Sequence, residues 1–382
     1  MQFDDIRYVV ITSDEHHQPH LLRGPWAKRP LIRGDTERAA EFVTQYCDEL
    51  NQDENVIHIS GGDTIDTSDP QPDRVLWLKQ YFEKHLSICK QYLYIQGQHE
   101  KSSRCPNTPW LSAIDKRTIH IDRQVFSIEG QFFAGIDNTS PEELQGFIQD
   151  LSSDEVPFNL ITHQLWKPWV PMGVGNLDLM QLPDNIQRVF SGDMHLKKDL
   201  LLPDGRQYFS VGPFFMQAWR EETEPRFLVL DLRTNTVKSV PLPCRKVFQT
   251  VIRSEEELEV QMGHLSNLPK YHDPASIEIA LLKVSYNSRI PGLQQTLEEF
   301  GEGRFHLFAE PYVQSDAESF SMDKIYAPGS QQLAGSVTEY LNKHEATAQG
   351  QLVRDIVDQA LISTTPKDLE AKLNQLRASI GV

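Results

Sequence analysis

Five short runs of β-branched and aromatic residues, at 7–12, 56–59, 92–95, 158–162 and 188–190, each end in a polar cluster. Runs this short and this apolar are inner strands of a layered sheet. Between the first three, residues 36–50 and 73–89 carry apolar side chains at helical spacing, with Val75, Leu78, Phe82, Leu86 and Cys89 on one stripe. Strand alternating with helix is α/β layering, and in open α/β sheets ligands gather at the carboxyl ends of the strands. The clusters that fall at that edge are Asp14-Glu15-His16, Gly62-Asp63-Thr64-Ile65-Asp66, Gly97-Gln98-His99-Glu100, Thr162-His163 and Gly192-Asp193-Met194-His195.

A carboxylate at the end of an apolar strand loses hydration, which is costly unless a cation or a donor compensates it. Here the same problem recurs several times, and convergence on divalent metal solves all of it together. Glycines at 62, 97 and 192 let the backbone turn tightly and bring each ligand close to a shared centre. Taken singly, Asp14 and His16 fit a solvated turn, Asp63 a helix cap, His163 a hydrogen-bonded core histidine and His99 a loop residue. Their order and strand context together favour a metal centre.

Residues 207–233 read as further strands interrupted by Gly212 and Pro213, closing the first domain. Two prolines at 241 and 243 mark a boundary. Beyond it, 246–252 reads as a strand, 254–265 as a helix opened by a Ser-x-x-Glu capping signal, and 277–286 as a second strand, a small α+β unit. A Pro/Gly/Ser-containing stretch follows, and then helical patterns at 333–342, 351–362 and 366–378. The expected division is 1–240, 241–310 and 311–382.

The chain has 382 residues, and its 37 basic against 54 acidic side chains give a net charge of −17. A surface of that sign repels nucleic acid and anionic membrane as a whole, so a phosphate substrate needs local positive charge or metal. Four scattered cysteines lack zinc-finger spacing, the amino terminus lacks the zones of a signal peptide, and no apolar run approaches the ~20 residues that cross a bilayer. The expectation is a soluble cytoplasmic protein with no membrane association.

In that order the motifs resemble the signature of the calcineurin-like metallophosphoesterase superfamily: Asp-x-His, Gly-Asp-x-x-Asp, Gly-Asn-His-Asp/Glu, His and Gly-His-x-His, here spread over residues 7–235. The resemblance implies a β-sandwich core flanked by helices and two divalent ions. By it, Asp14, His16, Asp63 and His195 hold the first metal. Asp63 bridges to a second held by Gln98, His163 and Asp193. His99 faces the phosphate as general acid or electrostatic stabiliser, so Asp63 and His99 are the catalytic residues. Gln98 stands where the family has Asn, and Asp193 replaces the first His of the last motif. Both changes fall on the second metal and make it more oxygen-rich, which suits Mn²⁺, with Mg²⁺ the alternative.

Segments 241–286 and 211–222 are further similar to the capping domain and the post-motif segment of the SbcD nucleases, the meiotic recombination eleven family. That resemblance implies a manganese-dependent DNA nuclease of double-strand-break repair. Its activities are a double-strand 3′ to 5′ exonuclease and a single-strand endonuclease, exercised as a homodimer with an SbcC-like coiled-coil ATPase of the Rad-fifty type. Compact nucleases of this type also occur in phages, so the cytoplasm expected includes that of a bacterial host. Lys101, Arg104, Lys197 and Lys198 lie near the motifs as DNA-backbone contacts. Leu352, Ile356, Ala360 and Leu361 form an apolar helix face for the ATPase. Two rival readings share the motifs: a phosphomonoesterase or nucleotide phosphatase, and a non-catalytic scaffold with an empty second metal site.

Overall fold

The computed structural model describes residues 1–17, 34–51, 55–101, 109, 111–170, 177–216, 219, 221–273 and 276–312. By packing, the chain divides into two compact units, Met1–Tyr286 with Ile290–Pro311, and Asn287–Arg289 with Tyr312–Val382. The helices expected at 333–342, 351–362 and 366–378, with Leu352, Ile356, Ala360 and Leu361, lie outside the described residues, as does Arg104.

Two sheets form the core of the first unit. One has six strands in the order Thr236–Pro241, Arg226–Asp231, Tyr8–Thr12, Val56–Ser60, Gln91–Tyr94, Thr118–His120, the last four parallel and Arg226–Asp231 antiparallel to Tyr8–Thr12. The other has seven, in the order Gln2–Phe3, Gln124–Ile128, Gln131–Ile136, Phe158–His163, Ile186–Gly192, Gln207–Ser210, Lys198–Leu201.

Side-chain alternation explains the layers. Val9 and Ile11 point one way and pack, with Ile57, Ile59 and Leu93, against Phe126, Phe133, Ile161 and Phe190 of the second sheet. Val10, Val56, Tyr92 and Tyr94 point the other way, onto Ala39, Ala40 and Val43 of the helix Asp35–Asn51 and Leu78 and Phe82 of the helix Pro72–His85. Behind the second sheet, Leu160 and Val189 meet Leu144, Phe147 and Leu151 of the helix Pro141–Ser152. The result is a β-sandwich flanked by helices, the α/β architecture expected. The apolar stripe read over 73–89 is real but its helix ends at His85, and Leu86 and Cys89 are buried in the turn that follows.

After Pro241 a separate three-stranded sheet begins, ordered Val247–Ile252, Ala280–Asn287, Phe305–Tyr312, with helices Glu255–Leu265 and Leu293–Gly301. Ile252, Leu282, Val284, Leu297 and Phe305 form its core. The capping residue read at Ser254 accepts the N–H of Glu257 at 3.3 Å. The second helix and third strand escape the sequence reading. Gly292, in the left-handed region at φ 68°, starts that helix without a side-chain cap, and Pro311 inside the strand reads as a break.

Arg245, in the connection between the core and this sheet, is 4% exposed. Its Nε donates to both carboxylate oxygens of Asp35, at 2.9 and 3.1 Å, and its Nη1 to the Ile279 carbonyl at 3.0 Å. Arg38 also pairs with Asp35, so removing Arg245 does not leave that carboxylate alone, but it does strip a donor from the Ile279 carbonyl. Arg245→Ala is therefore expected to lower the unfolding free energy by about 1–3 kcal/mol. A chemical denaturation midpoint within error of wild type would remove this pair from the account.

Candidate metal centre

Each cluster is delivered by a strand end. Tyr8–Thr12 leads to Asp14 and His16, Val56–Ser60 to Asp63, Gln91–Tyr94 to Gln98 and His99, Phe158–His163 ends on His163 itself, and Ile186–Gly192 leads to Asp193 and His195. Three come from the first sheet and two from the second, and both sheets end at one rim. Asp14, His16, Asp63 and Asp193 sit in the left-handed region, at φ 49°, 41°, 52° and 73°. Such conformations cost of order 1–3 kcal/mol each and persist only where the surroundings over-determine them. The over-determination is visible: Asp14 N–H donates to Gly62 O at 3.0 Å and His16 N–H to Asp63 O at 2.9 Å, locking one loop to the next. Gly97 packs so tightly that a Cβ there would lie 2.0 Å from Asp63 Oδ1.

Asp63 is completely buried. Its Oδ1 accepts the His99 N–H at 3.0 Å. Its Oδ2 has no hydrogen bond among the described residues, yet lies 3.2 Å from His163 Nε2, 3.8 Å from His16 Nε2 and 4.0 Å from His99 Nε2. Asp14 Oδ1 lies 3.4 Å from His195 Nε2 and 3.8 Å from His163 Nε2. The rings are oriented from behind. His163 Nδ1 is 2.7 Å from the Gly61 carbonyl and His195 Nδ1 2.8 Å from Glu221 Oε1. Both of those oxygens can only accept, so each Nδ1 carries a hydrogen and each Nε2 points inward, the arrangement of a metal-ligating histidine.

Three interlocking groups result, each with ligand atoms within 4.8 Å of one another: Asp14, His16 and His195; Asp14, Asp63 and His163; His16, Asp63 and His99. Gln98 and Asp193 meet each other instead. The Gln98 amide donates to Asp193 Oδ1 at 2.8 Å, and Asp193 belongs to none of these groups among the described residues. The longer amide thus reaches the shorter acid, and the two departures from the family pattern face one another.

Charge at the centre calls for a cation. Burial alone would raise the Asp14 pKa, but a hydrogen bond with His195 and the nearby His163, His195 and His16 rings outweigh it and hold the carboxyl well below the usual range. Burial likewise works against protonation of His163 and His195, yet Asp63 and Asp14 with their neighbours push those rings up to about 10 and about 11. Among the described residues, buried His16 Nδ1 and Nε2, Asp63 Oδ2 and His163 Nε2 have no hydrogen-bond partner. Each such atom costs about 1–3 kcal/mol unless something binds it, and divalent ions fit this mixed imidazole and carboxylate donor set.

Three further carboxylates support the centre: Glu100 and Asp66, which the sequence places in the clusters without assigning them a role, and Glu221, which it does not single out. Glu100 accepts the N–H groups of Gly97, Asp63 and Thr64 at 3.0, 3.2 and 3.0 Å, and burial and the neighbouring Asp63 push its pKa well up. Asp66 Oδ1 lies 3.2 Å from His16 Nδ1 and 3.4 Å from His99 Nδ1. The third is Glu221, behind His195. Residues backing a metal-bound histidine typically matter by 10- to 100-fold, so Glu221→Gln is expected to weaken divalent-metal binding by about that factor. Calorimetric titration with Mn²⁺ checks it, and an unchanged affinity would detach Glu221 from the centre.

Of the residues expected to contact DNA, two lysines are paired within the chain. Lys101 Nζ donates to Asn138 O at 2.5 Å, and Lys197 Nζ donates to Glu224 Oε2 at 3.0 Å and lies 3.7 Å from Glu222. Lys198 is exposed. Trp166 is fully buried with its Nε1–H donated to Ser191 Oγ at 3.1 Å, so it packs the core. Trp219 meets Phe308 of the three-stranded sheet edge-on, centroids 5.0 Å apart.

No family model matches the sequence, and no curated protein matches it. Among solved structures, the chain is similar to a dimetal phosphatase from Danio rerio at 13% identity and TM-score 0.44, covering 62% of this chain and 96% of that one. It is similar to a protein described as a novel archaeal phosphodiesterase at 15% identity and TM-score 0.34, covering 62% and 99%. A phosphoesterase-like protein from Streptococcus pneumoniae shares 12% identity at TM-score 0.27, covering 62% and 97%.

Proposed function

We propose that the chain is a two-metal phosphodiesterase and that its substrate is DNA. One observation carries the first half: a buried carboxylate oxygen, Asp63 Oδ2, without a hydrogen bond among the described residues, faces three imidazole nitrogens at 3.2, 3.8 and 4.0 Å. Asp14, His16, Asp63, His163 and His195 would hold the ions. Such ions polarise phosphoryl oxygens and supply an activated water at neutral pH. The chain's own residues do the rest. The His99 N–H pins one oxygen of Asp63 and leaves the other inward. The His99 ring, 39% exposed at the mouth with its Nδ1 beside Asp66, is placed to give a proton to the leaving oxygen.

DNA as substrate rests on the α+β unit after Pro241, which stands where the resembled nucleases carry their capping domain. Manganese as the preferred ion belongs to the same reading and rests also on the oxygen donors Gln98 and Asp193; the ATPase partner and a homodimer rest on that resemblance alone. A second reading, a phosphomonoesterase, is favoured by the acidic setting of Lys101 and Lys197, each beside a carboxylate. Rates on bis-p-nitrophenyl phosphate and p-nitrophenyl phosphate with Mn²⁺ separate the two. The diester is expected to be cleaved and the monoester left nearly intact. The reverse preference would favour the phosphatase.

A further inference from the structure

A second group of ligand-type side chains lies away from the rim, in the core between the first sheet and its helices. Cys47 belongs to the helix Asp35–Asn51, His85 ends the helix Pro72–His85, and Cys89 follows one turn on, its N–H donating to His85 O at 2.9 Å. All three are buried, with ligand atoms within 4.8 Å of one another. Val43, Val56, Phe82, Leu86 and Tyr92 belong to the same core cluster. We propose that Cys47, His85 and Cys89 form a buried soft-metal site that takes Zn²⁺, separate from the rim carboxylates.

Hydrogen-bond accounting prepares His85 for this role. Glu15, an ionised carboxylate, can only accept, and the Thr12 hydroxyl gives its single proton to Glu15 Oε1 at 2.6 Å. At 2.7 Å from Thr12 Oγ1, His58 Nε2 must then be the donor. A neutral His58, the form that complete burial enforces, accepts at Nδ1 from His85 Nε2–H at 2.8 Å. An imidazole that donates from Nε2 presents, when neutral, a lone pair at Nδ1. That Nδ1 faces the helix carrying Cys47, since Thr44, one turn before Cys47, lies 3.0 Å from it. Thr44 has a single hydroxyl proton, so its two contacts are alternatives: it donates to His85 Nδ1 while that lone pair is free, and turns to Ala40 O, 2.9 Å away, when a metal takes the lone pair. Metal-ligating histidines ordinarily donate their other N–H to a fixed acceptor, and here that acceptor is His58 Nδ1, itself held in place through Thr12 and Glu15.

The chemistry balances. On binding, each thiol loses its proton to solvent, two Zn–S bonds form, and the Nδ1 lone pair supplies a third ligand. The dication and two thiolates sum to zero charge, which an apolar core tolerates where a charged complex would not. A neutral fourth ligand, the Thr44 hydroxyl or a water, leaves that sum unchanged. Zn–S of about 2.3 Å and Zn–N of about 2.0 Å put tetrahedral ligand atoms about 3.5–3.8 Å apart. The present spread closes to this by side-chain movement of about 1 Å. Thiolates also select against Mn²⁺ and Mg²⁺, so the two centres do not compete for one ion.

The test is the absorption spectrum of the full-length chain produced in Co²⁺-supplemented medium, Co²⁺ standing in for Zn²⁺. A thiolate-to-cobalt charge-transfer band in the near ultraviolet is expected at about one equivalent per chain. Asp63→Asn keeps the band, which separates this site from the rim. Cys89→Ser loses it, and so does Cys47→Ala, an apolar change that spares the core, with an unaltered circular dichroism spectrum. No band in folded wild-type protein overturns the proposal. So does a band surviving both cysteine variants, since the thiolate would then be Cys105 or Cys244.

Discussion

Asp63→Asn is expected to lower phosphodiester hydrolysis by at least about 10²- to 10³-fold, the range seen when one preorganised electrostatic group is removed from an active site. The expectation is strong because Asp63 Oδ2 is the atom on which the centre converges, 3.2 Å from His163 Nε2 and 3.8 Å from His16 Nε2. Asparagine keeps the size and still accepts the His99 N–H through its carbonyl oxygen. Its amide nitrogen, however, replaces a lone-pair oxygen with a donor and removes the charge that draws a cation in. Metal affinity is expected to fall along with turnover. Full activity with unchanged Mn²⁺ binding would remove Asp63 from the site.

His99→Ala separates the two roles that Asp63 combines. Proton transfer by a positioned imidazole is typically worth about 10²- to 10⁴-fold, and that is the loss expected in turnover. Metal binding should stay largely intact, because His99 touches Asp63 chiefly through its backbone N–H, which alanine retains. A substrate whose leaving group needs no protonation, such as a p-nitrophenyl diester, should lose much less. Loss of bound metal in His99→Ala, or an equal loss on good and poor leaving groups, would contradict the assignment of His99 as proton donor.

How far the site was legible depends on what each residue's neighbours say. Asp14, Asp63, His99, His163 and His195 are readable because each follows a short apolar run, and the run declares both the strand and the edge. Glu221 is not. It lies far along the chain from His195, in a polar stretch with no periodicity, and only folding brings its carboxylate 2.8 Å from the ring. The same holds for Cys47 and Cys89, scattered in sequence and joined only by the packing of two helices on one sheet. Asp66 is readable as a motif position, but its place between His16 and His99 depends on a loop conformation that local sequence does not specify. In the fold, the β-sandwich and its helices follow from alternation and spacing. The hairpin Gln124–Ile128 to Gln131–Ile136 and the last strand of the three-stranded sheet do not. Gln124, Ser127, Gln131 and Gly135 break up the hairpin's apolar runs, and Pro311 disguises the other. The departures at Gln98 and Asp193 show a further limit: sequence reads each as a ligand of the second metal, whereas the fold makes them partners at 2.8 Å.

That pairing bears on the central claim, because it turns Gln98 and Asp193 toward each other and would leave Asp63 and His163 as the inner ligands of the second ion. The most direct test is degradation of end-labelled linear duplex DNA by the full-length chain in Mn²⁺, Mg²⁺ or EDTA, beside Asp63→Asn purified identically. The account predicts shortening from 3′ ends that depends on Mn²⁺, stops in EDTA and is absent in the variant. Intact DNA under every condition, or cleavage equal in wild type and Asp63→Asn, would contradict it.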